Sequence, residues 1–197
     1  MATGATGGKT ALTGSLPQAG LTVWTIGHST RSLEEFIALL RENHIEVVAD
    51  VRRHAGSRKF PHFNPEALAR GLHEAHIGYT AFPDLGGRRT AKPDSANTAW
   101  RNASFRGYAD YMETPPFKAA LGRFIAVATQ QRSALMCAEA VWWRCHRSLI
   151  ADVLKVDGAK VLHIMEAGKS VEHPYTTAAR VDNGHLSYGQ TQGHLPL

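Results

Sequence analysis

Only two cysteines occur among the 197 residues, Cys137 and Cys145, too few for a disulfide framework. No stretch approaches the roughly 18 apolar residues of a membrane span, so no membrane partner is expected. Residues 1–20 are rich in Gly, Thr and Ala but lack an apolar core, which excludes a secretory signal. They are expected to form a disordered leader. Without a signal the chain is expected in the cytoplasm, where both cysteines are thiols and a Cys137–Cys145 disulfide is a redox event only. Neither the Gly-x-Gly-x-x-Gly fingerprint nor a P-loop is present, and no cofactor is expected. Helix-turn-helix, zinc-finger and RNA-recognition signatures are missing too, as is any internal repeat.

What is present describes one globular domain. Hydrophobic residues make up 43% and charged residues 20% of the chain, both ordinary values. The formal net charge is +5, and the basic residues cluster: Arg52, Arg53, Arg58 and Lys59, then Arg88, Arg89 and Lys92, then Arg101 and Arg106. Such clusters are either solvated basic faces or the footprint of an anionic partner, a small phosphate-bearing molecule or nucleic acid. Oligomeric state leaves no mark in the sequence.

Apolar, β-branched runs alternate with helical periodicity. Residues 21–26 read as a buried strand. Ser32 and Glu35 form a capping box for a helix whose apolar stripe is Leu33, Phe36, Ile37 and Leu40. Further strands are expected at 45–51, 79–82, 133–138 and 160–165, and further helices from Asn64-Pro65 to about 76, at 105–112, 116–130 and 146–156. Residues 85–102 form a polar excursion too long for an ordinary connection, hence disordered or a lid. The stretch 169–197 shows no clear period and is expected to be a C-terminal arm, an added hairpin or a partly disordered tail. Strand–helix alternation predicts an α/β fold: a three-layer αβα sandwich with a mostly parallel sheet of about five strands, Rossmann-like or flavodoxin-like, over 21–168. Ligands in such sheets sit beyond the carboxyl ends of the strands. Polar residues fall there: Gly27-His28-Ser29-Thr30, then Asp50, Arg52 and Arg53, then Asp84 with Gly86-Gly87, then Cys137 and Glu139.

The blocks Thr25-Ile26-Gly27-His28-Ser29-Thr30, Asp50-Val51-Arg52, Leu85-Gly86-Gly87 and Cys137-Ala138-Glu139 with Cys145-His146-Arg147, in this order, resemble the domain-of-unknown-function 488 family over residues 23–165. Ser57-Arg58 and Phe63-Asn64 stand where that family has similar pairs. The resemblance implies an αβα sandwich and a shared pocket, and no reaction. Trp142-Trp143-Arg144 departs from the pattern, where relatives often have a shorter link, and this bears on the shape of the pocket lip.

The chemistry these residues offer is centred on Cys145. At a helix start, beside Arg144, His146 and Arg147, its thiolate is favoured. It is then a nucleophile with His146 or His28 as acid/base partner, or else a small buried hydrophobe. Cys137 is core, a resolving thiol or pocket wall. Seven residues separate the cysteines, so they are not a redox Cys-x-x-Cys pair. Six lie between Cys137 and Arg144, one too many for a Cys-x5-Arg phosphatase loop. Glu139 is a general base or an ion-pair partner of Arg147 or Arg52. Asp50 and Arg52 share a strand face and are expected to pair. Gly27, Ser29, Asp50, Arg52, Ser57, Arg58 and Arg147 are the expected anion-binding set, with Gly27 to Ser29 offering backbone N–H groups. No metal is expected; adjacent side chains such as Cys145 and His146 usually diverge, although Cys137, Glu139, Cys145 and His146 carry suitable donors. Trp142 and Trp143 either stack on a base or pack over the loop. The expected function is an enzyme acting on a phosphate-bearing substrate, with a non-catalytic nucleic-acid-binding module and a thiol or metal sensor as the alternatives.

Overall fold

A computed structural model describes residues 20–189; the expected leader lies almost wholly outside them. Strand β1 (Thr22–Gly27) leads to helix α1 (Leu33–Glu42), β2 (Val47–Asp50), α2 (Pro65–Glu74) and β3 (Gly78–Ala81). After an excursion the chain forms α3 (Ala103–Met112), α4 (Pro115–Ala128), β4 (Ser133–Cys137), α5 (Arg147–Val156) and β5 (Lys160–Glu166). Then follow β6 (Lys169–Glu172) and a separate hairpin, β7 (Arg180–Asp182) with β8 (His185–Ser187). No helix among the described residues is long and apolar enough to cross a membrane.

The main sheet has six strands in the order β3-β2-β4-β1-β5-β6. Its first five are mutually parallel, and β6 adds an antiparallel edge on β5. The sixth strand comes from the polar stretch after Gly168, where edge pairing, not periodicity, selects the strand. From β1 the chain moves two places to β2, then outward to β3; β4 returns into the gap, and β5 lies on the far side of β1. Right-handed crossovers then put α1 and α2 on one face and α3, α4 and α5 on the other.

The side-chain alternation of the strands matches this division. Trp24, Ile26, Val48, Ala134 and Met136 pack with Phe36 and Leu40 of α1 and Leu68 and Leu72 of α2. Val23, Ala49, Leu135, Cys137 and Val161 pack with Phe117 and Phe124 of α4 and Leu149 and Leu154 of α5. Each fully buried Val, Leu, Ile, Phe or Met side chain among them contributes about 1.5–3 kcal/mol.

Local signals explain the element starts. Ser32 accepts from the Glu35 amide and the Glu35 carboxylate accepts from the Ser32 amide, a complete capping box. Asn64 is the residue before α2, with Pro65 in its first turn, yet the Asn64 side chain makes no bond to that helix. Its Oδ1 instead accepts from the Ser57 amide at 2.6 Å. The excursion 86–102 has no helix or strand but is tied to α3: Asp110 accepts from the Lys92 amide, Ser95 Oγ and Asn97 Nδ2 at 2.6–2.9 Å. A Cβ at Gly107 would lie 2.4 Å from the Arg89 carbonyl oxygen, so only glycine lets the segment lie this close to the helix.

Candidate active site

The ladder continues past the strand ends and sets the rim loops. His28 and Ser29 amides donate to the carbonyls of Cys137 and Ala138, both at 2.9 Å, and the Val51 amide donates to Met136 at 3.0 Å. The amides of His28 and Ser29 are thereby committed to carbonyl partners, so the expected anion cradle has another use here: it clamps the β1 turn to the β4 turn. Gly27 is needed for that approach, because a Cβ there would lie 1.9 Å from the Glu139 carbonyl oxygen and 2.9 Å from Arg147 Nη2.

On the rim, between the ends of β2, β4 and β1, is a cleft of about 380 Å³. Cys137, Cys145 and His146 form its floor; Arg52, Arg53, Arg88 and Arg144 stand around it, with Glu139 the one acidic lining residue. Phe105 and Tyr108 of α3 close another side. Three of these arginines come from separate loops, and a converging cationic wall favours an anionic occupant.

At the floor, contrary to the usual divergence of neighbouring side chains, Cys145 and His146 converge. His146 Nδ1 lies 3.7 Å from Cys145 Sγ and 4.0 Å from Cys137 Sγ. His146 Nε2 meets the Val51 carbonyl at 3.2 Å. A carbonyl only accepts, so Nε2 carries a proton, and Nδ1 is the nitrogen that faces the sulfurs and can exchange a proton with them. Gly87 lies against this ring; a Cβ would come within 2.8 Å of Nδ1. That is the physical content of the Leu85-Gly86-Gly87 block, whose Gly86 similarly abuts the Arg53 backbone.

Arg147 does not line the cleft. Its side chain is 1% exposed and runs underneath the floor. Nε donates to Cys145 Sγ at 3.4 Å, Nη1 to Thr25 Oγ1 at 3.0 Å and Nη2 to the Glu139 carbonyl at 2.5 Å. No carboxylate pairs with it among the described residues, and buried charge needs compensation. Cys145 is the one acidic side chain this guanidinium meets among the described residues. Burial opposes its ionisation, but the neighbouring Cys137 thiol and the charges of Arg147 and His146 outweigh that and hold its pKa well below the usual thiol value. Cys137, beside the Cys145 sulfur and itself buried, is pushed well above the usual value. The two cysteines are thus pushed in opposite directions, Cys145 toward the thiolate and Cys137 toward the thiol.

Arg52 is held by Asp50 in a bidentate pair, Nε to Oδ1 at 2.9 Å and Nη2 to Oδ2 at 2.7 Å, with the Arg52 amide also on Oδ1 at 3.0 Å. Tyr79 donates to Asp50 Oδ2 at 2.8 Å. Asp50 is thus fully engaged, and it positions the arginine that faces the cleft. His28 does not line the cleft; it is stacked on Phe63 at 4.1 Å and its Nε2 is 3.4 Å from Arg52 Nη1. Burial first, and then the Arg52 charge, lower its pKa to about 4. Glu139 is exposed at the cleft edge, and it is its backbone carbonyl, not its carboxylate, that meets Arg147. Ser57 and Arg58 lie apart, on a shallow surface pocket with Pro61 and Asn64; the Ser57 hydroxyl accepts from the Phe60 amide at 3.0 Å and stiffens its own loop.

The sequence profile of the family described as Domain of unknown function DUF488 matches residues 32–154, more than half of the chain. The chain belongs to this family. No curated protein and no solved structure matches it. Three of the rim blocks described above lie within the matched residues: Asp50-Val51-Arg52 supplies the cleft arginine and its holder, Leu85-Gly86-Gly87 the backing of His146, and Cys145-His146-Arg147 two residues of the floor and the guanidinium beneath it. The Trp142-Trp143-Arg144 segment forms a short helical turn. Arg144 stands on the cleft, Trp143 is 53% exposed and Trp142 turns inward to stack on His163 at 4.4 Å.

The two sulfurs and His146 Nδ1 lie within 4.8 Å of one another, so they are the residues that could hold a soft metal ion. The S···N separations of 3.7 and 4.0 Å are close to the roughly 3.6 Å that tetrahedral zinc bonds imply. At the same place the Arg147 guanidinium on Cys145 offers a counter-cation to a thiolate.

Sequence reasoning missed Thr25, His163, His173 and Asp152, four buried polar residues below the floor. Thr25 and His163 sit in apolar strands, and His173 follows β6 in the stretch read as a tail. A buried polar residue inside an apolar run was the signal available.

Proposed function

We propose that the protein is an enzyme acting on a phosphate-bearing substrate, a nucleotide or nucleic acid, with Cys145 as nucleophile and His146 as its acid/base partner. The observation that carries this reading is a cysteine sulfur on a buried guanidinium, at the floor of a cleft walled by four arginines. Arg52, Arg53, Arg88 and Arg144 hold the anion; Asp50 and His28 hold Arg52; Arg147 holds the thiolate. In the reaction the Cys145 proton resides on His146 Nδ1, the sulfur bonds to the electrophilic centre, and that proton leaves with the departing oxygen. Water then releases the second product and returns the thiol. Cys137 donates to the resting sulfur and is not consumed.

The test is alkylation of Cys145 by iodoacetamide, followed by peptide mass, with and without inorganic phosphate or pyrophosphate. Cys145 should react at pH 6–7, well below the usual thiol range, and pyrophosphate should slow the reaction severalfold; Arg52→Ala should abolish that protection. A rate that rises only near pH 8.5 refutes the thiolate. Stoichiometric metal in the purified protein, measured by elemental analysis, would convert the floor into a metal centre and refute the nucleophile.

A second reading draws on the exposed Trp143 beside Arg144: a nucleic-acid-binding surface without catalysis. It requires affinity for single-stranded oligonucleotide that falls steeply between low and moderate salt, together with an unreactive Cys145.

A further inference from the structure

Beneath the floor a chain of buried hydrogen bonds runs from Cys145 to the C-terminal segment. Arg147 Nη1 donates to Thr25 Oγ1 at 3.0 Å; Thr25 Oγ1 meets His163 Nδ1 at 2.7 Å; His163 Nε2 meets His173 Nδ1 at 2.9 Å; and His173 Nε2 meets Asp152 Oδ1 at 3.0 Å. Thr25, His163, His173 and Asp152 are 0–1% exposed. Asp152 is anchored by three other donors, the Thr176 amide at 2.9 Å, Thr176 Oγ1 at 2.6 Å and Tyr188 OH at 2.9 Å. Trp142 covers the chain, parallel to the His163 ring and edge-on to His173.

Matching donors to acceptors gives this chain one direction. The Asp152 carboxylate accepts, so His173 Nε2 donates. Arg147 can only donate, which leaves the single Thr25 hydroxyl proton free to go to His163 Nδ1. His163 Nε2–H then donates to His173 Nδ1, and no donor lacks an acceptor. In the reverse order the Thr25 hydroxyl proton has no recorded acceptor. Burial, then the nearby His173 and Arg147, hold His163 neutral far below the usual imidazole range, as the matched order requires.

We propose that Thr25, His163, His173 and Asp152 form a positioning relay that fixes the Arg147 guanidinium against the Cys145 sulfur, making the segment after β5 part of the thiol site. The proposal rests on the thiolate reading above. It accounts for four buried polar residues that apolar packing alone would replace with hydrophobic ones. It also gives the Trp142-Trp143-Arg144 segment a role, since Trp142 seals the relay from water. None of the four touches the cleft, so they are positioning residues; only Arg147 reaches the sulfur. The titratable or charged groups around that sulfur are Cys137 from β4, Tyr108 from α3, and His146 and Arg147 at the start of α5, with Arg31 and His163 acting on Arg147.

The experiment is the pH profile of Cys145 alkylation by iodoacetamide in the full chain, for wild type, Thr25→Val, Thr25→Ser and His163→Phe. Thr25→Val keeps shape but removes the hydroxyl. It should raise the profile's midpoint by about one pH unit, a tenfold slower reaction below the midpoint. Thr25→Ser should restore the wild-type midpoint, and His163→Phe, which keeps a ring under Trp142, should shift it in the same direction as valine. Unchanged midpoints in folded Thr25→Val and His163→Phe overturn the relay while leaving the thiolate reading intact. Should Thr25→Val fail to fold, the His163→Phe profile decides. A wild-type midpoint at the ordinary thiol value instead removes the thiolate reading and the relay with it.

Discussion

The Asp50–Arg52 pair offers a quantitative test of how the cleft is held. Its side chains are 1% and 5% exposed, so neither charge is solvated. Asp50→Asn removes the negative charge and turns one acceptor oxygen into an amide that faces donors: Oδ1 now receives the Arg52 amide and Nε, and Oδ2 receives Nη2 and Tyr79 OH. Arg52 keeps the remaining amide oxygen, the Phe63 carbonyl at 2.9 Å and His28 Nε2 at 3.4 Å as acceptors, but no negative charge beside it. Breaking a buried pair from one side costs about 3–5 kcal/mol because the orphaned charge stays buried. With a urea m-value of about 2 kcal/mol/M, the unfolding midpoint should fall by roughly 1.5–2.5 M. The double variant Asp50→Asn/Arg52→Met removes the orphan as well and should regain at least about 2 kcal/mol of that loss, since apolar replacement of buried pairs is often neutral. Urea unfolding followed by circular dichroism, at one pH and salt concentration, measures both. If the single variant unfolds near the wild-type midpoint, or if the second substitution adds to the loss, Asp50 is not the group that makes a buried arginine tolerable. Phosphate protection of Cys145 should weaken in Asp50→Asn as well, because the bidentate contact that directs Arg52 is lost.

Two further outcomes follow from the same geometry. Gly87→Ala places a Cβ 2.8 Å from His146 Nδ1; it should cost about 1–3 kcal/mol in urea unfolding and change Cys145 alkylation, and wild-type values in both would refute the claim that this glycine seats the imidazole. His28 has a folded pKa of about 4 against an ordinary 6.5. The unfolded chain therefore takes up its proton first on acidification. The contribution of neutral His28 is complete above about pH 6.5 and is lost as pH falls through 4, on the order of 3 kcal/mol in total. The stability gap between wild type and His28→Gln should accordingly shrink between pH 7.5 and pH 4, and a gap that stays constant would contradict it.

Local rules carried a good part of the molecule. The capping box at Ser32 and Glu35, the proline in the first turn of α2 and the apolar stripes of α1 and α4 involve residues three or four apart, and short-range sterics and hydrogen bonding decide them. The five parallel strands were legible for the same reason, and so was the gathering of polar residues at their carboxyl ends. The edge strand β6 was not, because an exposed polar strand is selected by its partner and leaves no periodic trace. Nor was the departure of Asn64 from its helix to the Ser57 amide, since both bonds suit the same side chain.

Which side chains meet was settled by tertiary structure. Sequence alone made Cys145, His146 and Arg147 a reactive cluster and expected Arg147 to point at a substrate. Insertion of β4 between β2 and β1 sends Arg147 inward, to Thr25 on β1 and the carbonyl of Glu139 after β4. The same insertion brings Arg52 from the α2 side of the sheet and Cys137 from the α5 side to one cleft. The hydrogen bond between Thr25 and His163 spans 138 residues, and that between His173 and Asp152 crosses from the segment after β6 to α5. Periodicity tells a residue which way to face along its own element. Strand order decides what it faces, because that order is chosen by the summed burial of the whole core and not by any local pattern.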